Sequence, residues 1–205
     1  MDPIIEQIAR ELNQQPLHVE NVVRLLDEGN TIPFIARYRK ELHGAMDDTS
    51  LRALEERLAY LRGLQERREA VKKSIDEQGK LTAELSQAID RAGTLAEVED
   101  LYRPYKQKRR TRATAAREKG LAPLAEVLLA QAPDCPDPAA EAAQYIDPDK
   151  GVETAEDALA GACDIIAECI SDDAALRRRL RELLMKNGVL HSTAATEEDT
   201  VYRLY

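Results

Sequence analysis

Apolar residues recur three and four positions apart along most of this chain, the spacing that turns one face of a helix toward a core. Ile4, Ile5, Ile8, Ala9 and Leu12 predict a first helix that stops at Pro16. Val19, Val22, Val23 and Leu26 predict a second, closed by Gly29. Thr31 followed by Pro33 is a helix-start signal, because the N–H that proline lacks has no partner in a first turn. The segment PFIARYRKE then reads as a short amphipathic helix with Phe34 and Ile35 inward. Asp47, Asp48, Thr49 or Ser50 can cap a long helix, from about residue 49 to 78, on Leu51, Leu54, Leu58, Leu61, Leu64, Val71 and Ile75. At 1.5 Å per residue it would be roughly 45 Å long. Its seam lapses near Arg68, which predicts an intramolecular packing partner rather than a dimer mate. Gly63 inside it fits either a close helix approach or simple tolerance.

Gly79 ends that helix, and Thr82 starts another on Leu85, Ile89 and Ala92, closed by Gly93. An antiparallel helix pair follows from so short a connection. Thr94 and Glu97 have capping-box spacing, and Pro104 disfavours helical geometry at Arg103, so residues 103 to about 111 are expected to be an ordered loop. Thr111 or Thr114 can restart a helix through Lys119, with Gly120 as its cap, and Pro123 opens another on Leu124, Val127 and Leu128. A short Ala-rich helix at 139–145 lies between breaker-rich turns. Thr154 with Asp157 then starts a helix on Leu159, Ala162, Ile165, Ile166 and Ile170, and Leu176, Leu180, Leu183 and Leu184 carry a last one to Asn187-Gly188. The remainder, VLHSTAATEEDTVYRLY, has no helical period and leaves room for a short strand. The expected fold is all-α, an elongated multi-helix domain built on a long antiparallel helix pair.

Charge changes this picture more than composition does. The net charge is −9, yet Arg103, Lys106, Lys108, Arg109, Arg110, Arg112 and Arg117 form a run of seven bases without an acid. From Ala132 to Ala175 twelve acids face one base, Lys150. By charge and breakers the chain divides into 1–131, a helical region with the basic segment; 132–190, an acidic helical segment packed on it; and 191–205, a tail. Like charges repel, so the basic run needs solvation or an anionic partner. Arginine offers paired planar donors to phosphate, and Tyr102 and Tyr105 interleave with the bases as single-strand stacking requires. Candidate nucleic-acid contacts are therefore Arg103, Tyr105, Lys106, Lys108, Arg109, Arg110, Arg112 and Arg117. A secondary cluster is Arg37, Arg39 and Lys40 beside Tyr38. The competing readings are pairing with the acidic half, with Asp147, Asp149, Glu153, Glu156 and Asp157 as acceptors, docking to another domain, or plain solvation, with Tyr102 and Pro104 as core plugs.

Four blocks, TIPFIARYRKE at Thr31–Glu41, EQGKLT at Glu77–Thr82, EDLYRPYKQKRRTRATAAREKGLAPLA at Glu99–Ala125 and ALAGACDIIAE at Ala158–Glu168, closely resemble the N-terminal region of Tex proteins, bacterial transcription accessory factors related to a eukaryotic elongation factor. The resemblance covers nearly the whole chain. It implies a cytoplasmic, helical, nucleic-acid-associated protein, truncated before the RNase-H-like, helix-hairpin-helix and OB-fold RNA-binding domains of the family. The expected partners are RNA or DNA, with single strands favoured, the remaining domains of the longer protein, and RNA polymerase. The alternative is a structural docking module that contacts those domains or RNA polymerase and has no nucleic-acid affinity by itself.

With no Trp and one Phe, the core must be Leu, Ile, Val and Ala, which suits helices. No apolar run reaches the roughly 20 residues that span a bilayer, and no secretory leader opens the chain, so no membrane association is expected. Cys135, Cys163 and Cys169 form no CxxC pair, and His18, His43 and His191 are scattered, which argues against a metal site or a disulfide framework and fits the cytoplasm. Cys163 and Cys169 are expected to be buried as small apolar groups. No HExxH, Gx4GK[ST], GxSxG or GxGxxG occurs, so neither catalysis nor a cofactor is expected.

Overall fold

In the computed structural model, which describes residues 2–106, 109–132, 137–193, 195 and 201, several helices begin where a side chain takes up one of the first free N–H groups, and others begin at a proline without such a cap. Asp2 accepts from the Ile4 N–H at 2.8 Å, Asp47 from Ser50 at 2.7 Å, Thr111 from Thr114 at 3.0 Å and Asp173 from Leu176 at 2.7 Å. Thr154 and Asp157 form a full capping box. The expected box at Thr94 forms by half. Thr94 accepts the Glu97 N–H at 3.2 Å, but the Glu97 carboxylate takes the N–H of Gly93 at 2.7 Å, one residue earlier than the reciprocal bond requires.

All regular structure among the described residues is helical, apart from an isolated bridge between Asp147 and Val152. Most of the tail in which a short strand was expected lies outside the described residues, and none forms at 189–193. The chain divides into two units, Met1–Tyr102 and Arg103–Tyr205. This packing boundary and the charge boundary at residue 131 follow different criteria.

The first unit is built on α4 (Asp48–Asp76), with α1 (Pro3–Glu11), α2 (Pro16–Asp27) and α3 (Ile32–Tyr38) packed on it. The predicted seam of α4, from Leu51 to Ile75, is buried at all seven positions. Leu25 rather than Leu26 enters the core from α2, and Ile32 and Ile35 do so from α3, whereas Phe34 is only half-buried. Then α5 (Ala83–Arg91) returns antiparallel, since Lys72 meets Asp90, Arg68 meets Ala92 and Tyr60 meets Leu95. Helix α6 (Leu95–Tyr102) reverses again: Arg67 bonds Glu99 at 2.6 Å and Ser74 pairs with the Tyr102 hydroxyl at 3.0 Å. The lapse in the apolar seam at Arg68 thus has a physical cause. Its guanidinium donates to the Ala92 carbonyl at 2.7 Å, satisfying the end of α5. Two paired-donor bridges, Arg57 to Glu11 and Arg62 to Asp27, tie α4 to α1 and α2.

The second unit packs α7 (Arg112–Glu118), α8 (Ala122–Ala130) and α9 (Pro138–Ala142) around α10 (Ala155–Asp172), and α11 (Ala174–Asn187) follows it. Its core is small residues and leucines, among them Ala116, Leu121, Leu124, Ala158 and Ala162. Gly161 permits this closeness. A Cβ there would collide with the tip of Leu121, a side chain that is itself buried, and would lie 3.4 Å from the Ala116 Cβ. Gly161→Ala is therefore expected to destabilise by about 1–3 kcal/mol in a thermal or urea melt. Gly63 has nothing within 4 Å of a built Cβ, so it reflects tolerance, and Gly63→Ala is expected to stabilise by about 0.5–1 kcal/mol. Equal effects at the two sites would contradict the packing of α10 on α7. Cys163 and Cys169 are exposed, contrary to expectation: residue 163 lies off the inward stripe of Ala158, Ala162 and Ile165, and Cys169 continues that stripe beyond Ile165, the last residue that α10 buries.

Candidate nucleic-acid interface

The basic segment begins in a 3-10 turn, Arg103–Tyr105, and ends on α7. Four of its arginines are held by carboxylates of the same unit. Arg103 bonds Asp172 at 2.8 Å, Arg110 bonds Glu118 at 2.7 Å and Arg117 bonds Glu168 at 2.6 Å, while Arg112 stands 3.5 Å from Asp164. Asp164, Glu168 and Asp172 lie four residues apart, so α10 presents one row of acids to the basic segment. The Thr111 hydroxyl also donates to Glu168, at 3.0 Å. The hydrogen bond that the Arg117 guanidinium donates to Glu168 holds that group above its usual range, against the opposing effect of burial. These acceptors are not those expected from the sequence: Asp147 pairs with Lys150, and Asp157 is the capping-box partner of Thr154.

The pairs differ in how firmly they hold. Asp172 and Glu168 are only 14% and 17% exposed, so each needs its arginine. The Arg112 side chain is 88% exposed and its pair is loose. Arg109 is exposed and has no carboxylate partner among the described residues. Tyr105 is half-buried and Lys106 is exposed, and neither is without a partner, while Lys108 lies outside the described residues. Tyr102 belongs to the first unit, where the Arg67 guanidinium sits 5.4 Å over its ring. Arg117→Ala is expected to lower the stability of the second unit by about 1 kcal/mol, discounted for the half-open setting, without changing affinity for nucleic acid. Unchanged melting with at least tenfold weaker oligonucleotide binding would put Arg117 in the interface instead.

The secondary cluster is arranged otherwise. Arg37 lies at the end of α3, Arg39 is its C-terminal cap and Lys40 follows. Arg37 lies 5.9 Å from the Tyr38 ring centre, and Arg39 lies 5.2 Å over Phe34 and donates to the Tyr38 carbonyl at 3.1 Å. The Phe34 and Tyr38 rings are themselves 5.2 Å apart and tilted, and Tyr38 is 55% exposed. Among the described residues none of the three cations has a carboxylate partner. Arg37 and Lys40 line one shallow depression with Pro33, Ala36 and Asp48, and Asp48 is engaged by Arg52 at 2.7 Å. Three cations without carboxylate partners, beside an exposed Tyr38 ring, can meet a phosphate chain and a base together.

No group of His, Cys, Asp and Glu suited to a metal ion occurs among the described residues. No described helix is long and apolar enough to cross a membrane.

Residues 2–76 match the family described as Tex-like protein N-terminal domain, and residues 134–204 match the one described as Tex central region-like. The chain belongs to the Tex family. It is 51% identical over 207 residues to protein YhgF of Escherichia coli, a match covering 100% of this chain and 26% of the relative. It is 45% identical over 193 residues to the transcriptional accessory protein Tex of Neisseria gonorrhoeae, covering 94% of this chain and 25% of that protein. To the human S1 RNA-binding domain-containing protein 1 it is 32% identical over 188 residues, covering 91% of this chain and 18% of that protein. The chain thus spans about a quarter of the length of the bacterial Tex relatives it matches. The family is transcription-related, and none of these three names specifies a catalytic activity.

Proposed function

We propose that this chain is a non-catalytic nucleic-acid-binding module of a transcription accessory protein, and that Arg37, Arg39 and Lys40 with Tyr38 form its principal contact surface. The observation carrying this reading is that these three cations lack carboxylate partners among the described residues, and that Arg37 lies against the exposed Tyr38 ring and Arg39 over the neighbouring Phe34 ring. In the basic segment Arg109, the exposed Arg110 and the loosely held Arg112 add a second contact, whereas Arg103 and Arg117 serve the fold first. The ligand is RNA or DNA, with single strands favoured because aromatic faces accept unstacked bases. The relatives' names, a transcriptional accessory protein and an RNA-binding-domain protein, agree with that choice of ligand. The cytoplasm, the rest of the Tex protein and RNA polymerase complete the setting.

Titration of labelled single-stranded RNA and DNA with the purified chain tests the proposal. Saturable binding that weakens with salt is expected. Binding that appears only once the remaining length of a Tex relative is supplied would favour the docking alternative.

A further inference from the structure

Helix α11 buries none of its residues. Leu176, Leu180, Leu183 and Leu184, at the spacing of one helix face, are 40–65% exposed, so a row of four leucines lies open. The same helix carries Arg177, Arg178, Arg179, Arg181 and Lys186 against one acid, Glu182. Helical geometry sets Arg177 along one border of the leucine row, with Arg179 and Lys186 along the other. Soluble surfaces rarely leave such a row open without an occupant.

We propose that α11 docks into an apolar groove rimmed by carboxylates, carried by the part of the Tex protein that lies outside the stretch this chain matches. Two properties of the helix select that chemistry. A second copy laid face to face would bring basic borders against basic borders, and a nucleic acid would leave the leucines uncovered. An acid-rimmed groove uses both the leucines and the cations. The second unit already shows the same complementarity, because the acid row of α10 receives the arginines of the basic segment. The match covers only 26% of the Escherichia coli relative, so a Tex protein of that length has ample chain outside the matched stretch to supply the groove. The inference is independent of the nucleic-acid reading.

The test titrates the full chain with the remainder of the Escherichia coli relative, produced as a separate polypeptide. A one-to-one complex is expected. Leu180→Glu with Leu183→Glu should weaken it at least tenfold without changing the melting of the chain, since both side chains are more than half exposed. Arg179→Glu should also weaken it and reduce its salt dependence. Absence of a complex, or equal affinity of the variants, would overturn the proposal. So would self-association abolished by the leucine variants, or binding of α11 to anionic phosphatidylglycerol vesicles in place of the polypeptide.

Discussion

Leu54→Ala in the middle of the first unit is expected to destabilise it by about 2–5 kcal/mol. Leu54 is fully buried on α4, the helix against which α1, α2 and α3 pack, so truncation leaves a cavity with walls on several helices. Leu58 and Leu61, each 5% exposed, should behave alike. Leu17→Ala is the matched control, because that side chain is exposed on α2 and should change stability by less than about 0.5 kcal/mol. Urea unfolding followed by far-UV circular dichroism gives both values. A cost below about 0.5 kcal/mol at Leu54 would mean that α4 does not organise the unit.

The second large effect concerns α3. If Arg37, Arg39 and Lys40 each meet one phosphate of a single strand, log affinity should fall with log salt at a slope of roughly −2, or about twentyfold between 50 and 200 mM. Arg37→Glu with Lys40→Glu should reduce that slope to about −1 or shallower, and should weaken every sequence alike, because phosphate contacts carry no base information. Tyr38→Ala should lower affinity by about 1–3 kcal/mol while leaving the slope unchanged. Folding should be unaffected, since no ion pair and little buried surface are lost at these positions. A double reversal that binds with wild-type affinity and slope would remove α3 from the interface and return Arg109, Arg110 and Arg112 to first place.

The fold was legible because caps and apolar spacing act locally. Thr111, Thr154 and Asp173 start helices by bonding residues three positions on, and the seven apolar positions of the α4 seam are all buried. What escaped the sequence depends on which elements meet. The lapse at Arg68 reads as an interruption until Ala92 lies beside it. The acids at 164, 168 and 172 have a clear helical spacing, but only the packing of α7 on α10 makes them acceptors for Arg112, Arg117 and Arg103.

The same limit explains the order of the two basic clusters. Counting charges favours the segment with seven bases, and the structure shows that four of them already face carboxylates. Three bases at the end of α3 and just beyond it make a smaller count but have no carboxylate partners among the described residues. The leucines of α11 have helical spacing like those of α4, and spacing alone cannot say which face finds a partner. The five bases interspersed with them, against a single acid, were the overlooked signal.

Backbone amide shift mapping of the full chain during titration with a single-stranded oligonucleotide tests the nucleic-acid reading most directly. Saturable shifts are expected, concentrated at residues 34–41, with a weaker set around Arg109 to Arg112 and little change at Asp164, Glu168 and Asp172. Shifts confined to the α7 and α10 pairs, or none at concentrations where the salt-dependent binding should be complete, would contradict it.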